Sequence, residues 1–186
     1  MARERRAAPG GFVYHVCNRG SRKGPLFPSN EEYIAFEEML ARGRELKGIR
    51  VTAYCLMGNH WHLLLWPARD GDLSKFCHWL QTTHASRYRR RTQTIGEGAV
   101  YQSRFNAVAV MDLVHYLRAC RYVERNPVEA KLVDRAESWR WSSAAQRAGT
   151  QPRLPMDDGP IPLPASWLSI VNQELELVPE ELLVAL

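Results

Sequence analysis

The stretch "IRVTAYCLMGNHWHLLLWP" (residues 49–67) decides the fold. Its β-branched and apolar residues on either side of "GN" predict two strands, joined by a two-residue turn into an antiparallel hairpin. Two histidines, His60 and His62, interrupt the second strand. Because alternate side chains of a strand point to the same face, these imidazoles should lie side by side, while Trp61 faces the opposite way.

The segments around this hairpin predict a sheet of four strands with helices packed against it. In chain order, the predicted elements are strand 11–20, helix 29–48, strands 49–57 and 60–66, a helix from Asp72, strand 104–111 and helix 113–126. Ser29 and Glu32 stand at capping-box spacing in the first helix, and Asp112 is the expected N-cap of the third. This βαββαβα order predicts an α+β fold, a ferredoxin-like sandwich with an antiparallel four-stranded sheet and packed helices.

The composition is that of a globular protein with a basic body and an acidic end. The 186 residues are 45% hydrophobic, and no apolar run is long enough to cross a membrane, so no membrane association is expected. Residues 1–150 hold 24 basic against 14 acidic side chains, whereas residues 151–186 hold one against six, with six of the eleven prolines. We therefore expect one domain over 1–150 and a proline-rich acidic C-terminal arm over 151–186, as a linker or surface arm. The basic domain favours a polyanionic partner, either a nucleic acid or an anionic surface.

The histidine pair is a candidate metal site. Two imidazoles on one strand face can hold a single divalent cation and leave its other positions to oxygen ligands. The alternatives are a pair of core histidines satisfied by hydrogen bonds and a surface-facing pair without a function. A structural zinc site is disfavoured because no cysteine lies at the needed spacing. The four cysteines are scattered instead, which indicates reduced thiols in a cytoplasmic protein.

The third predicted helix carries a second group of candidate residues. Its predicted apolar stripe consists of Leu113, Leu117 and Cys120. A different side carries His115, Arg118, Tyr122 and Asn126. A phenol beside an amide and the arginines Arg118 and Arg125 suits a phosphodiester, since arginine binds phosphate oxygens and a tyrosine oxygen can attack phosphorus. The alternative is a Tyr122 that only packs at the helix edge.

Two further segments are candidates for contact with nucleic acid. "SRYRRRTQ" (residues 86–93) surrounds Tyr88 with four arginines, which are Arg87, Arg89, Arg90 and Arg91. This pattern suits backbone neutralisation and base stacking on a single strand, or it is a solvated helix end. Arg104, at the entry to the fourth strand, can reach a phosphate or a guanine edge, or form a structural ion pair.

Four segments taken together resemble the REP-associated tyrosine transposases, which are single-tyrosine transposases of the HUH nuclease superfamily. In order, they are "YHVCNRG" (14–20), "AYCLMGNHWHLLLWP" (53–67), "GAVYQSRF" (98–105) and "CRYVERNPVEAKLV" (120–133). The resemblance covers roughly residues 10–145. It implies the same ferredoxin-like fold, and an enzyme that cuts and rejoins single-stranded DNA beside small palindromic hairpins.

The resemblance also implies roles for particular residues. His60 and His62 become ligands of Mg²⁺ or Mn²⁺, Asn126 completes that site, and Tyr122 becomes the nucleophile; Tyr88 is a weaker rival. The expected partners are REP-like DNA hairpins, and the protein is expected to be a monomer or a homodimer. It is expected in the cytoplasm, associated with the nucleoid through its binding to DNA. The expected DNA contacts are Arg87, Arg89, Arg90, Arg91, Arg104, Arg118 and Arg125. Two alternatives stay open: a non-catalytic hairpin-binding protein, and a metal-dependent hydrolase of small phosphodiesters.

Overall fold

The computed structural model describes residues 8–149 and 154–174, and it contains the predicted sheet. The strands are β1 (Tyr14–Arg19), β2 (Ile49–Met57), β3 (His60–Pro67) and β4 (Asn106–Ala109). Their order is β2-β3-β1-β4, and the paired strands run antiparallel. Gly58 and Asn59 connect β2 to β3, which confirms the predicted two-residue turn. The predicted α+β ferredoxin-like sandwich is confirmed.

Helices cover both faces of the sheet and form two cores. The helices are α1 (Asn30–Lys47), α2 (Asp72–Thr92), α3 (Leu113–Glu129), α4 (Ser143–Arg147) and α5 (Trp167–Asn172), with short 3-10 turns at Ser21–Lys23 and Ala136–Ser138. Trp61, Leu63 and Leu65 of β3 pack into the core beneath α1 and α2. Leu64 packs on the opposite side, into the core beneath α3 and α5. Strand alternation therefore places the two histidines of β3 on the α3 face.

The first helix begins and ends where predicted, but its N-terminal contacts differ. Ser29 is the N-cap residue, and Gly48 ends the helix in the left-handed conformation, with φ 61°. The predicted capping box is wrong, because the Ser29 side chain bonds to Glu31. Glu32 is instead buried and forms an ion pair with Arg91 of α2 at 2.9 Å.

The third helix packs on a different stripe from the one predicted. Its buried apolar residues include Tyr116, Cys120 and Val123, whereas Leu113 is 50% exposed. The predicted stripe was wrong because two adjacent stripes share Cys120 at helical spacing, and the sequence pattern does not choose between them. The Asp112 cap is confirmed, since its side chain accepts from the backbone N–H of His115 at 2.8 Å.

The described part of the C-terminal arm, residues 154–174, packs against the domain. Asp157 accepts a hydrogen bond from Arg44 of α1 at 2.6 Å and another from the backbone of Val51 at 2.9 Å. Trp167 donates from Nε1 to the buried carboxylate of Glu124 at 2.7 Å. Of the two expectations, a linker or a surface arm, residues 154–174 therefore agree with an arm on the surface of the domain. The predicted boundary at 150 and the acidic end of the arm lie outside the described residues.

No helix in the described part of the chain is both long and apolar enough to cross a membrane. The four cysteines are free thiols, and three of them are buried.

Candidate active site

A cleft of about 520 Å³ opens on the α3 face of the sheet. His60 and His62 of β3 line it from the sheet, and Tyr122 and Asn126 of α3 line it from the helix. Arg104, in the loop before β4, forms part of its wall. The fold thus brings together three segments that are far apart in the sequence.

The two histidines of β3 lie side by side, as strand alternation predicted. Their ring centroids are 5.1 Å apart, and the ring planes are nearly perpendicular at 85°. His62 is buried, with 6% of its surface exposed, while His60 is half-buried at the strand start. Trp61 between them points into the opposite core and is fully buried. This pair therefore presents two imidazoles to the cleft from a rigid strand.

Hydrogen bonds fix the orientation of His60. Its Nδ1 lies 2.7 Å from the side-chain oxygen of Asn59. An amide oxygen only accepts, so Nδ1 of His60 carries the proton and Nε2 carries the lone pair. The side chain of Asn126 also hydrogen-bonds to His60. Asn126 therefore aims at the histidine pair even though Pro127 follows it.

Burial keeps the imidazoles of the cleft neutral. It lowers the pKa of His60, with a smaller contribution from Arg19. It holds the pKa of His62 well below its usual value, reinforced by the neighbouring histidines and Arg19. Burial and His115 lower the pKa of His15, which contacts His62, to about 4. Neutral imidazole is the form that binds metal ions, so His60 and His62 are ready ligands at neutral pH.

Tyr122 lies next to the histidine pair within the same chain. Its ring centroid is 5.5 Å from that of His62, with the planes at 89°, and 5.5 Å from that of His15. The side chain is 38% exposed, so its hydroxyl end can meet a ligand in the cleft. One chain is therefore sufficient to bring phenol and imidazoles together.

The donor set of the cleft fits a divalent cation that prefers oxygen. Two imidazoles and the amide of Asn126 converge, and within residues 8–149 and 154–174 no cluster of three histidine, cysteine or carboxylate side chains forms a complete metal site. A cation held by so few protein groups keeps several positions for water or phosphate oxygens. Such open coordination fits a divalent cation that also takes oxygen ligands.

The predicted arginines occupy several different positions. Arg104 is exposed in the cleft wall, and Arg87 and Arg90 are exposed at the C-terminal end of α2. Arg89 of α2 is half-buried, and Arg118 is half-buried on α3, one turn before Tyr122. Arg91 is exposed but already pairs with Glu32.

Arg125 does not fit its predicted role as a DNA contact. Its side chain is buried, forms an ion pair with Glu129, and donates to the backbone oxygen of Val171 at 2.9 Å. Arg125 therefore anchors the C-terminal arm to α3. The sequence pattern missed this because the position of the arm was unknown.

Tyr88, the rival nucleophile, lies near the C-terminal end of α2 and does not line the cleft; its ring centroid is 6.1 Å from that of His84. Its hydroxyl donates to the backbone oxygen of Pro25 at 3.0 Å. It lines a separate small cleft with Pro25 and Arg89. The structure thus favours Tyr122 over Tyr88 as the tyrosine of the candidate site.

Sequence reasoning missed two residues of β1: Arg19, which lines the cleft, and His15, which contacts His62. Both lie on the same sheet face as the histidine pair, because Arg19 stands opposite His60 and Cys17 stands opposite His62 in the β1–β3 register. The signal was available: the ferredoxin-like order makes β1 the neighbour of β3, so alternate residues of "YHVCNRG" had to face the same cleft.

Residues 11–126 match the protein family described as "Transposase IS200 like". The chain belongs to this transposase family. Among solved structures, it is similar to a REP-associated tyrosine transposase bound to a REP hairpin, with a TM-score of 0.61, 20% identity, and coverage of 85% of this chain and 93% of that one. It is also similar to a putative transposase from Deinococcus radiodurans R1, with a TM-score of 0.46, 16% identity, and coverage of 62% and 91%. No curated protein matches it significantly.

The match confirms the resemblance to transposases that the sequence motifs indicated. The matched range contains both histidines of β3 and extends through Tyr122 to Asn126. The similarity to the REP-associated enzyme confirms the fold, since it spans nearly the whole of that chain.

Proposed function

We propose that this transposase cleaves and rejoins single-stranded DNA beside hairpins, through a phosphotyrosine on Tyr122. The observation that carries the proposal is the contact of Tyr122 with His62 in one chain, at 5.5 Å between ring centroids, in an open cleft. A tyrosine so placed has both solvent access and two neutral imidazoles beside it. This combination suits attack on a phosphodiester.

The proposed reaction conserves the energy of the phosphodiester. The Tyr122 oxygen attacks phosphorus and loses its proton, and the bond from phosphorus to the 3′ oxygen breaks. The 3′ oxygen takes up a proton and leaves as a 3′-hydroxyl, while the 5′ phosphate stays on the tyrosine. A second 3′-hydroxyl attacks this linkage in the reverse direction, which rejoins DNA and returns the proton to Tyr122. No nucleotide cofactor is needed.

His60, His62 and Asn126 are the proposed holders of a divalent cation, Mg²⁺ or Mn²⁺. When bound, such a cation neutralises charge on the non-bridging phosphate oxygens and fixes the phosphate for in-line attack. The chain's own contribution is orientation: β3 sets the spacing of the imidazoles, and Asn59 holds the ring of His60. Tyr122 approaches from α3, on the opposite wall of the cleft.

Exposed arginines supply the proposed affinity for the hairpin. Arg104 lies in the cleft itself, and Arg87 and Arg90 lie at the end of α2. Phosphate contacts of this kind make binding salt-dependent and independent of sequence, so exposed bases must supply selectivity. The hairpin as partner is supported by the REP hairpin bound to the similar solved structure.

The proposal is tested by trapping the covalent adduct. Purified protein is incubated with a library of single-stranded hairpins carrying flanks, in Mg²⁺ or Mn²⁺, and protein-linked DNA is recovered and sequenced. The wild type should yield DNA joined through its 5′ phosphate to Tyr122. Tyr122→Phe should yield none and bind hairpins with unchanged affinity, because the phenol oxygen is the only atom removed.

The matched control is Tyr88→Phe, which should keep the adduct. Hairpin binding by a wild type that forms no adduct would favour the non-catalytic binding protein. Turnover of small phosphodiesters without trapped DNA, unaffected by Tyr122→Phe, would favour the hydrolase instead.

A further inference from the structure

His15 of β1 is bonded to one of the two histidines of the cleft. Its Nε2 lies 2.9 Å from Nδ1 of His62. The two rings are nearly parallel, at 15°, and their centroids are 5.2 Å apart. Because the centroids are so much farther apart than the nitrogens, the rings meet edge to edge. The hydrogen bond therefore lies in the plane of both rings, along an N–H on one side and a lone pair on the other.

The two proton arrangements of this bond differ at the far nitrogen of His62. If His15 donates, Nδ1 of His62 accepts and the proton of His62 sits on Nε2, where it blocks metal binding. If His62 donates from Nδ1, its Nε2 carries a lone pair. We propose that His15 is a positioning residue that accepts the Nδ1–H of His62 and so keeps Nε2 unprotonated for a divalent cation. This inference rests on the proposed function, which assigns the cation to the histidine pair.

The neighbouring ligand has the same arrangement. Nδ1 of His60 donates to the side-chain oxygen of Asn59 at 2.7 Å, which leaves Nε2 for the cleft. His15 would thus do for His62 what Asn59 does for His60. Metal-binding histidines generally give their second N–H to such an acceptor, and loss of that acceptor costs roughly 10–100-fold in metal affinity.

The position of His15 is fixed by the centre of the sheet. Strand β1 is paired on both sides, so His15 stands opposite Leu64 of β3 and opposite Val108 of β4. The Tyr122 ring contacts it as well, with centroids 5.5 Å apart and ring planes at 75°. An acceptor on a central strand holds its geometry before any ligand arrives, which is what orientation of a metal ligand requires.

The proton position is measured directly in the metal-free protein. Long-range ¹H–¹⁵N correlation spectra of histidine-labelled protein report which nitrogen of His62 is protonated. We expect Nδ1–H in the wild type and in His15→Gln, whose amide oxygen can accept the same bond. His15→Phe removes the acceptor and should shift His62 towards Nε2–H. Wild-type His62 protonated at Nε2 would overturn the inference.

The second measurement is Mn²⁺ affinity by titration calorimetry. His15→Phe should bind Mn²⁺ roughly 10–100-fold more weakly than the wild type, and His15→Gln within about threefold of it. Thermal unfolding of each variant checks that the fold is intact. Equal affinity of wild type and His15→Phe, or equal loss in both variants, would overturn the acceptor role.

The two measurements separate this inference from the proposed function. A wild type with His62 protonated at Nδ1 but without Mn²⁺ binding would refute the metal site itself. Tight Mn²⁺ binding by a protein whose His62 is protonated at Nε2 when metal-free would refute only the role of His15.

Discussion

Two histidine–tyrosine pairs lie on opposite faces of the sheet, and their surroundings differ. In the cleft beside α3, His62 contacts Tyr122 with ring centroids 5.5 Å apart, and the tyrosine is 38% exposed. On the α1–α2 face, His84 and Tyr101 have centroids 5.6 Å apart, and both side chains are buried. The groups are chemically the same, so access to the cleft is what separates a candidate nucleophile from a structural tyrosine.

The buried pair uses its polar atoms inside the core. The Tyr101 hydroxyl lies 2.6 Å from Nδ1 of His84 and accepts from Nε1 of Trp61 at 3.2 Å. Burial raises the pKa of Tyr101, and burial together with Arg87 lowers the pKa of His84 to about 3. A tyrosine held in this way cannot reach a phosphate. Proximity of phenol and imidazole is therefore not sufficient for a candidate nucleophile, which must also lie in an open cleft.

The largest expected difference between the pairs is in DNA cleavage. His62→Ala should slow adduct formation by about 10²–10³-fold, because it removes one of the two imidazoles proposed to hold the cation that neutralises charge at the phosphate. His84→Gln should leave the rate nearly unchanged, since it lies in the opposite core. Single-turnover formation of protein-linked DNA measures both, with circular dichroism to verify folding. An equal loss of adduct formation in His62→Ala and His84→Gln would show that the two histidine–tyrosine pairs do not differ in function.

The fold could be predicted because each element has a local signal. The Gly-Asn turn and the flanking strands set the hairpin, and alternation along β3 then put both histidines on one face. Helical spacing on α3 grouped Tyr122 with Asn126, and the resemblance to the REP-associated tyrosine transposases gave them their expected roles.

What the sequence could not give were contacts between distant segments. The bond of His15 to His62 depends on the register of β1 against β3, which no local pattern fixes. The role of Arg125 depends on the backbone of Val171, whose position is set by packing of the arm on α3. The buried carboxylate of Glu124 likewise receives Ser143, Arg147 and Trp167, which are far from it in sequence.

Removing the hydroxyl of Tyr101 should lower the free energy of unfolding more than removing that of Tyr122, whereas only Tyr122 should matter for DNA cleavage. Tyr101→Phe leaves the buried Trp61 Nε1 and His84 Nδ1 without their shared partner, so we expect a loss of about 1–3 kcal/mol in the free energy of unfolding. Tyr122→Phe alters an exposed side chain and should change this energy by less than about 0.5 kcal/mol. Urea unfolding of the two variants and the wild type provides the values. A larger loss for Tyr122→Phe would mean that its hydroxyl has a structural role.

The smallest expected effect is a dependence of stability on pH that comes from His84. Its pKa is about 3 in the folded protein, below the value of about 6.5 expected for an unfolded chain. Between these values the unfolded state binds a proton that the folded state does not, so stability falls as the pH is lowered. From pH 6 to pH 5 this group alone should cost about 1 kcal/mol.

His84→Gln isolates this contribution, because glutamine does not titrate and its amide oxygen can still accept from Tyr101. The unfolding free energy of the variant should therefore fall less between pH 6 and pH 5 than that of the wild type, by about 1 kcal/mol. Parallel urea titrations at the two pH values give the difference. Identical slopes would mean that His84 is protonated in the folded core, and the surroundings of the two pairs would then be more alike than their burial indicates.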